Sequence, residues 1–145
     1  MKFCRIDLSK THYKTLPYGH LLLNIEKDDK MDRLQEIYKK YCTHKEFESV
    51  VPLFSGMIFD KYTDVMCYYP DDKFSAFSLI KHYDRENVEA LQFAWDYSNP
   101  ELRLGIESLK HECAYYKSQG FKYLYLGLAD DYKSQLDGYE ILGPL

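Results

Sequence analysis

The sequence predicts an α/β or α+β fold whose mixed, mostly antiparallel sheet is flanked by helices. Residues 97–127 read as a strand end, a helix with apolar periodicity and then an apolar strand; a helix followed at once by a buried strand is half of a βαβ crossover. Residues 73–97 contain two alternating segments joined by a short polar turn, as in a β-hairpin. No repeat and no Pro/Gly-rich linker divides the 145 residues, so residues 1–145 are predicted to form a single domain.

The central helix is predicted from the cap at Asn99 to the break at Gly120. Pro100 suits the first helical position because its missing N–H would have no partner there, and Gly120 can adopt the left-handed conformation that ends a helix. The apolar stripe recurs at spacings of four, three, four and three residues, and it comprises Leu102, Ile106, Leu109, Cys113 and Tyr116.

Two strands are predicted to flank this helix. Residues 123–126 are aromatic and aliphatic throughout, which predicts a strand covered on both faces. Residues 88–97 alternate and supply the strand before the helix. The pair completes a central βαβ unit, in which the N-terminus of the helix lies beside the strand ends, where anions and cofactors bind.

The preceding strands are predicted from β-branched and aromatic runs. Residues 73–83 form one strand, and residues 84–87 make its polar hairpin connection to the next. Residues 57–62 and 64–69 fit either one bent strand or a hairpin. Residues 70–72 read as a turn because they combine proline with two aspartates.

The N-terminal part is predicted to contain strands at residues 1–6 and 19–25. A helix over residues 30–42 follows, capped by Asp28 or Asp29. A second helix is predicted from Thr43 to Val50, where Thr43 and a glutamate three residues later form a capping box. The C-terminal stretch from residue 129 onward contains a turn and a short apolar segment at 139–142.

Composition limits the possible partners. The net charge of −4 argues against a broad basic face for nucleic acid but leaves room for a local basic channel. Aromatic residues make up 17% of the chain, which favours half-buried filler over a stacking surface. No apolar run approaches the ~18–20 residues of a membrane span, and no signal peptide is visible, so we expect a cytoplasmic protein without a membrane partner.

The cysteines and histidines do not have metal-ligand spacing, so no metal is expected. The cysteines at positions 4, 42, 67 and 113 are widely scattered, and Cys113 lies on the apolar stripe, where packing explains it. His111 lies off the stripe and is predicted to face solvent.

One stretch resembles a known family. The matching features are Leu104-Gly105, Leu109, Glu112, the Gln119-Gly120 break, Tyr123 to Gly127, and Tyr132-Lys133. They are similar to the C-terminal part of the leucyl- and arginyl-tRNA–protein transferases, although Leu128 stands where that family has a tyrosine. The order of elements also resembles the GCN5-related N-acetyltransferase (GNAT) fold.

The resemblance implies where an acyl donor would bind. In this fold the donor lies in a splay between the fourth and fifth strands, and the phosphates of coenzyme A lie at the start of the central helix. It therefore implies an acetyl-CoA or other acyl-CoA cofactor, or an aminoacyl-tRNA donor. The implied binding residues are Gln92, Phe93, Ala94 and Trp95 on the strand, Arg103, Leu104 and Gly105 at the helix start, and Lys133.

The resemblance also implies catalytic residues. A tyrosine just after the fifth strand often serves the leaving group in this fold, and Tyr132 has that position. Attack by an amine also needs a base, which could be Asp96 or Glu140; Asp96 ends the fourth strand and is favoured. The alternative is that residues 130–133 form a solvated turn and that Asp96 is merely a charged strand end.

The predicted function is acyl transfer. An acyl or aminoacyl group would move from a thioester or tRNA donor to an amine of a protein, a small molecule or a nucleobase. The alternatives are a non-catalytic binding module of the same fold and a phage-type enzyme that modifies DNA bases. The oligomeric state is not predicted.

Overall fold

The computed structural model describes residues 2–45 and 55–143. These residues contain helices α1 (Lys27–His44), α2 (Ser55–Phe59) and α3 (Leu104–Ser118). Their strands, in chain order, are β1 (Phe3–Asp7), β2 (Gly19–Leu21), β3 (Thr63–Tyr68), β4 (Ala76–His82), β5 (Asn87–Trp95), β6 (Tyr123–Leu128) and β7 (Tyr139–Leu142).

The strands form one sheet in the order β2-β3-β4-β5-β6-β1-β7. β5 and β6 are parallel because α3 crosses between them, and the other pairs are antiparallel. The prediction of a mixed, mostly antiparallel sheet with a central βαβ unit is therefore confirmed. β1 pairs on both of its edges, since it lies between β6 and β7.

Two apolar clusters hold the helices to opposite faces of the sheet. Leu34 and Ile37 of α1 pack in one cluster with residues of β3 and β4, including Phe77. The α3 stripe packs in the other cluster with Val88 of β5 and with Leu124 and Leu126 of β6, among others. None of the helices in the two described ranges is long and apolar enough to cross a membrane.

The prediction that β6 is covered on both faces is wrong. Leu124 and Leu126 are buried beneath α3, but Tyr123 and Tyr125 are half-buried and belong to neither apolar cluster. Tyrosine and leucine alternate along this strand, so the tyrosines all point to one face. An amphipathic side chain tolerates such a half-exposed position, which explains why the run looks apolar throughout.

The central helix begins later than predicted. Asn99 caps as expected, because its side chain accepts a hydrogen bond from the Glu101 N–H, but residues 100–102 form only a 3₁₀ turn. Arg103 then adopts a left-handed conformation, with φ of 50°, and α3 starts at Leu104. The turn and the helix are separated by that one residue.

Several other predicted boundaries differ. Residues 55–59 form α2, so the strand predicted at 57–62 is wrong; a short apolar run does not by itself distinguish helix from strand. β2 ends at Leu21, and α1 begins at Lys27. Thr43 lies inside α1 and its hydroxyl donates to the Lys39 carbonyl, so it caps no second helix. The rest of that predicted helix lies largely outside the described residues.

His111 of α3 is buried, which corrects the prediction that it faces solvent. Its Nδ1 accepts a hydrogen bond of 2.8 Å from the Leu16 N–H, and this contact ties the loop between β1 and β2 to the helix. Burial lowers the pKa of His111 to about 4, because the charged imidazolium would lose its hydration. The side chain is therefore a neutral part of the core at physiological pH.

Glu112, the next residue, is also buried. Its Oε2 accepts hydrogen bonds from the Tyr68 hydroxyl and, at 2.7 Å, from the Ser78 hydroxyl. Burial raises the pKa of this carboxyl to about 7, and the two hydrogen bonds only partly offset the shift. The pKa shifts of these two adjacent residues of α3 therefore both favour the neutral form.

These two shifts predict opposite effects of pH on stability. Between about pH 4.5 and 6.5, folded Glu112 keeps a proton that the unfolded chain loses, so its contribution falls as pH rises. Over the same range the unfolded chain protonates His111 and the folded chain does not, so this contribution increases as pH rises. Each slope is at most about 1.4 kcal/mol per pH unit, so the two largely cancel.

Single variants separate these contributions. In His111→Gln, the free energy of unfolding should fall, relative to the unchanged protein, as pH increases from 5 to about 6.5. In Glu112→Gln it should rise over that interval. Denaturant titration at several pH values measures both slopes. Variant profiles that run parallel to the unchanged protein would contradict the assignment of these protonation states.

Gly19 is required by close packing against His111. An added Cβ would lie 2.6 Å from the imidazole Cε1. We expect Gly19→Ala to destabilise the fold by about 1–3 kcal/mol, because the ring is held by its bond to Leu16 and cannot move aside. Gly56→Ala is the matched control, since its Cβ would meet nothing within 4 Å. Equal unfolding midpoints for the two variants would count against this packing.

Candidate active site

β5 and β6 pair over a short length and then separate. Their parallel register covers Asn87–Tyr123, Val88–Leu124 and Glu89–Tyr125. β5 continues to Trp95 against β4, while β6 continues along β1. The two strands therefore open like a V beyond Glu89 and Tyr125, and the sheet is interrupted there. This is the position that the resemblance implied for an acyl donor.

A cavity of about 250 Å³ occupies the opening on the α3 side, and we call it the inner cavity. Glu112, Ser78 and Gln92 supply polar groups to its wall. Glu112 uses Oε2 for both of its hydrogen bonds, and no described residue bonds to Oε1. The complete lining is Tyr41, Ser78, Ala90, Leu91, Gln92, Phe93, Leu109, Glu112, Leu126, Asp130, Tyr132 and Lys133.

A second cavity of about 290 Å³ adjoins the first, and we call it the aromatic cavity. The two cavities share Tyr41, Phe93 and Tyr132. The aromatic cavity also reaches the start of α3. Its complete lining is Tyr41, Lys45, Phe93, Trp95, Tyr97, Arg103, Gly105, Ile106 and Tyr132.

Aromatic rings in and beside the aromatic cavity pack against one another at different angles. Tyr41 and Tyr97 are parallel, with centroids 6.1 Å apart and an interplanar angle of 2°. Trp95 lies 4.3 Å from Tyr97, and His44 stacks on Tyr97 at 3.6 Å. Rings packed in this way supply aromatic surface against which a nucleobase could pack.

Two cationic residues line the same cavity. Arg103 and Lys45 are exposed, and each can reach a phosphate without breaking an ion pair in the described part of the chain. Lys39, Lys40 and His44 lie nearby, on the exposed C-terminal part of α1. The chain is acidic overall, yet Arg103, Lys45 and Lys39 lie here without an ion-pair partner in the described ranges, whereas Lys40 pairs with Glu36 at 3.1 Å.

Lys133 does not lie in a solvated turn. Its ammonium group donates to the carbonyls of Leu126 and Leu128 at 3.0 and 2.9 Å, and it pairs with Asp130 at 2.9 Å. The side chain thereby ties the end of β6 to the segment that follows. Tyr132 beside it lines both cavities while 45% of its surface stays exposed, and the partial burial of its phenol raises its pKa to about 12. Its phenol is therefore protonated near pH 7.

The structure does not bring Asp96 to these cavities. Asp96 accepts a hydrogen bond of 2.8 Å from Arg33 of α1, and only 2% of its side chain is exposed. Hydrogen bonds from Ser98 and the Arg33 guanidinium lower its pKa despite burial. Glu140 pairs with Arg5 at 3.2 Å on β1, also away from both cavities. Both carboxylates are engaged in ion pairs.

The remaining predicted residues divide between the two cavities. Gln92 and Phe93 line the inner cavity, and Phe93, Trp95, Arg103 and Gly105 line the aromatic one. Ala94 and Leu104 are buried in the core and line neither. Glu112 is the main site residue for which the sequence predicted no role. It was named only as one of the positions that resemble the family. Its burial could not be predicted because it depends on the packing of α3 across the sheet.

Side chains occupy part of the backbone around the opening that the pantetheine arm of coenzyme A would use. Such an arm pairs with free backbone groups, but the Gln92 side chain donates to the Phe93 carbonyl at 2.8 Å, and Lys133 occupies the carbonyls of Leu126 and Leu128. At the start of α3 only Gly105 lacks a side chain, where a pyrophosphate needs close backbone approach. In the described ranges, no group of three His, Cys, Asp or Glu side chains could hold a metal.

Several solved structures have folds similar to that of this chain. The L-PGS structure from Bacillus licheniformis has a TM-score of 0.68 and 11% identity, and the match covers 88% of this chain and 46% of that one. A putative GNAT-family acetyltransferase from Novosphingobium aromaticivorans has a TM-score of 0.63 and 14% identity. The match covers 97% of this chain and 59% of that one. Saccharomyces cerevisiae N-myristoyltransferase with bound myristoyl-CoA also has a TM-score of 0.63, at 12% identity. The match covers 97% of this chain and 47% of that one.

These likenesses confirm the GNAT-like fold. The chain spans about half the length of the structures that it matches. Comparison with curated proteins finds no match. Residues 24–142 match the family model described as arginine-tRNA-protein transferase, C terminus. Because this match spans most of the sequence, the chain belongs to the family of the arginine-tRNA-protein transferase C terminus.

Proposed function

We propose that this protein transfers an aminoacyl group from the 3′ end of an aminoacyl-tRNA to an amine of a protein. The observation that carries the proposal is the pair of adjoining cavities at the β5–β6 opening. One is built from aromatic rings and cations, and the other contains a buried carboxyl with a pKa of about 7. An aminoacyl ester of a nucleotide has the two matching parts.

The aromatic cavity suits the terminal nucleotide. Base stacking on aromatic rings contributes about 1–3 kcal/mol per base, and Tyr41, Trp95 and Tyr97 supply such rings. Arg103 and Lys45 suit the adjoining phosphates, since each phosphate contact adds a salt-dependent attraction. The acceptor stem could then continue along the basic end of α1.

The inner cavity suits the ester. The amine nitrogen would attack the ester carbonyl, forming a C–N bond as the C–O bond to the ribose breaks. Glu112 can accept the proton that the amine loses, because its pKa lies near neutral pH. Tyr132, which lines both cavities, can give a proton to the departing ribose oxygen. Tyr68 and Ser78 hold Glu112 by one oxygen and leave the other for this role.

The buried pair of Asp96 and Arg33 argues for a structural role of Asp96, not for proton transfer. A carboxylate with a lowered pKa is a weak base, and its partner holds it on the α1 side of the sheet. The contacts of Gln92 and Lys133 disfavour an acyl-CoA donor for the same site. Acetyl-CoA therefore serves as the alternative donor in the experiment.

The test is a transfer assay with aminoacyl-tRNAs that carry labelled amino acids, and with peptides that have free N-termini. Mass spectrometry should detect a peptide heavier by one aminoacyl residue. Glu112→Gln should lower the rate by about 10²–10⁴-fold, the usual contribution of a general base. Glu101→Gln, the same change at an exposed residue, is the matched control and should leave the rate unchanged.

Asp96→Asn distinguishes the two candidate bases. It should lower the unfolding midpoint, because Arg33 loses its buried carboxylate partner and keeps only Glu36, but should leave transfer per folded molecule nearly unchanged. Product formed from acetyl-CoA alone would overturn the choice of donor. No transfer from any charged tRNA or from acetyl-CoA would favour the non-catalytic alternative.

A further inference from the structure

A third cavity lies on the opposite face of the sheet at the same opening. It has a volume of about 460 Å³, and we call it the outer groove. Its lining is largely apolar and contains no residue of α1, α2 or α3. The residues are Phe3, Cys4, Tyr83, Asn87, Glu89, Tyr125, Gly127 and Leu142.

Neighbouring residues of the same two strands line the outer groove and the inner cavity. Glu89 lines the groove, and Ala90 beside it lines the inner cavity. On β6, Tyr125 and Gly127 line the groove, whereas Leu126 between them lines the inner cavity. Successive strand residues point to opposite faces, so the two spaces lie on either side of the sheet where pairing stops.

The outer groove contains polar groups that would accept hydrogen bonds from a ligand. Glu89 accepts a hydrogen bond from the Tyr83 hydroxyl and has no ion-pair partner in the described ranges. The ammonium of Lys81, its cross-strand neighbour, lies instead near the Tyr83 ring, 5.7 Å from the centroid. The Oδ1 of Asn87 is buried, and no described residue donates a hydrogen bond to it.

The other charges beside the groove are already paired. Arg5 binds Glu140 through two nitrogens, at 3.3 and 3.2 Å, and donates to the Tyr125 hydroxyl. This leaves Glu89 as the charge available to a ligand along the lining. A carboxylate and an unsatisfied amide oxygen in an apolar groove match a cationic amine that carries N–H donors and a side chain.

We propose that the outer groove binds the N-terminal segment of an acceptor peptide, with its α-ammonium at Glu89 and Asn87. This inference rests on the proposed aminoacyl transfer and assigns the acceptor to the face opposite the donor. After the ammonium has lost one proton to water, the free amine would pass through the opening between β5 and β6 to the ester in the inner cavity, where Glu112 takes the second proton as the C–N bond forms. Gly127 has no side chain to narrow that passage, and nothing would lie within 4 Å of an added Cβ.

The experiment first measures peptide binding without a donor. Short peptides that differ in their first residue are titrated by NMR, each with a free and with an acetylated N-terminus. The free peptides should shift the amide signals of Glu89, Tyr125 and Gly127, and acetylation should weaken binding about tenfold or more. Glu89→Gln should weaken binding of free peptides similarly and leave that of acetylated peptides unchanged.

Two further variants show whether a loss of binding comes from the missing charge or from misfolding. Glu86→Gln makes the same change in the nearby hairpin, outside the groove, and should bind as the unchanged protein does. Tyr83→Phe removes only the hydroxyl that contacts Glu89. It should weaken the binding of free peptides by a smaller factor than Glu89→Gln does. In the transfer assay, Glu89→Gln should raise the KM for peptide and leave the KM for aminoacyl-tRNA unchanged.

The outcomes separate this proposal from the one on which it rests. Transfer activity without peptide shifts in the groove, or with equal binding of free and acetylated peptides, would overturn the acceptor site alone. Concentration-dependent shifts of the groove signals without peptide would assign it to a second copy of the chain instead. Peptide binding at Glu89 with no transfer from any donor would refute the proposed function, and the acceptor role with it.

Discussion

The site depends on the early end of pairing between β5 and β6. Three register pairs hold the strands together, and beyond Glu89 and Tyr125 each strand follows a different neighbour. Backbone groups left without strand partners must be satisfied in another way. Lys133 satisfies two carbonyls of β6, and Gln92 satisfies one of β5. The same interruption creates space on both faces of the sheet.

Burial gives the opening its chemistry. α3 crosses the sheet so that Glu112 reaches the strands from the helix side, where Tyr68 and Ser78 hold it. Removal from water raises its pKa to about 7, and the neighbouring His111 is kept neutral by the same packing. One helix therefore carries both a structural histidine and a carboxyl suited to proton transfer, and aromatic and basic residues gather at its N-terminal end.

Much of the fold could be predicted from the sequence, because the stripe of α3 and the alternation in β4 and β5 follow directly from burial on one face. The errors lie where pattern is ambiguous. The run around Met57 is apolar without a period and proved helical, and the tyrosines of β6 were mistaken for core. The catalytic role of Asp96 stays a prediction made from its place in the chain; its environment is determined by Arg33, which is distant in sequence. Glu112 could not be singled out because its burial arises only from tertiary packing.

The central claim is that a nucleotide ester binds on the α3 face of the opening. Trp95 is the sole tryptophan of the chain and lines the aromatic cavity, so its fluorescence reports binding directly. Titration with a non-hydrolysable 3′-aminoacyl-adenosine analogue should change Trp95 emission in a saturable way, and removal of Arg103 should weaken binding to phosphate-bearing forms of the analogue. An unchanged emission spectrum at saturating analogue, in a preparation that transfers aminoacyl groups, would contradict the placement of the donor.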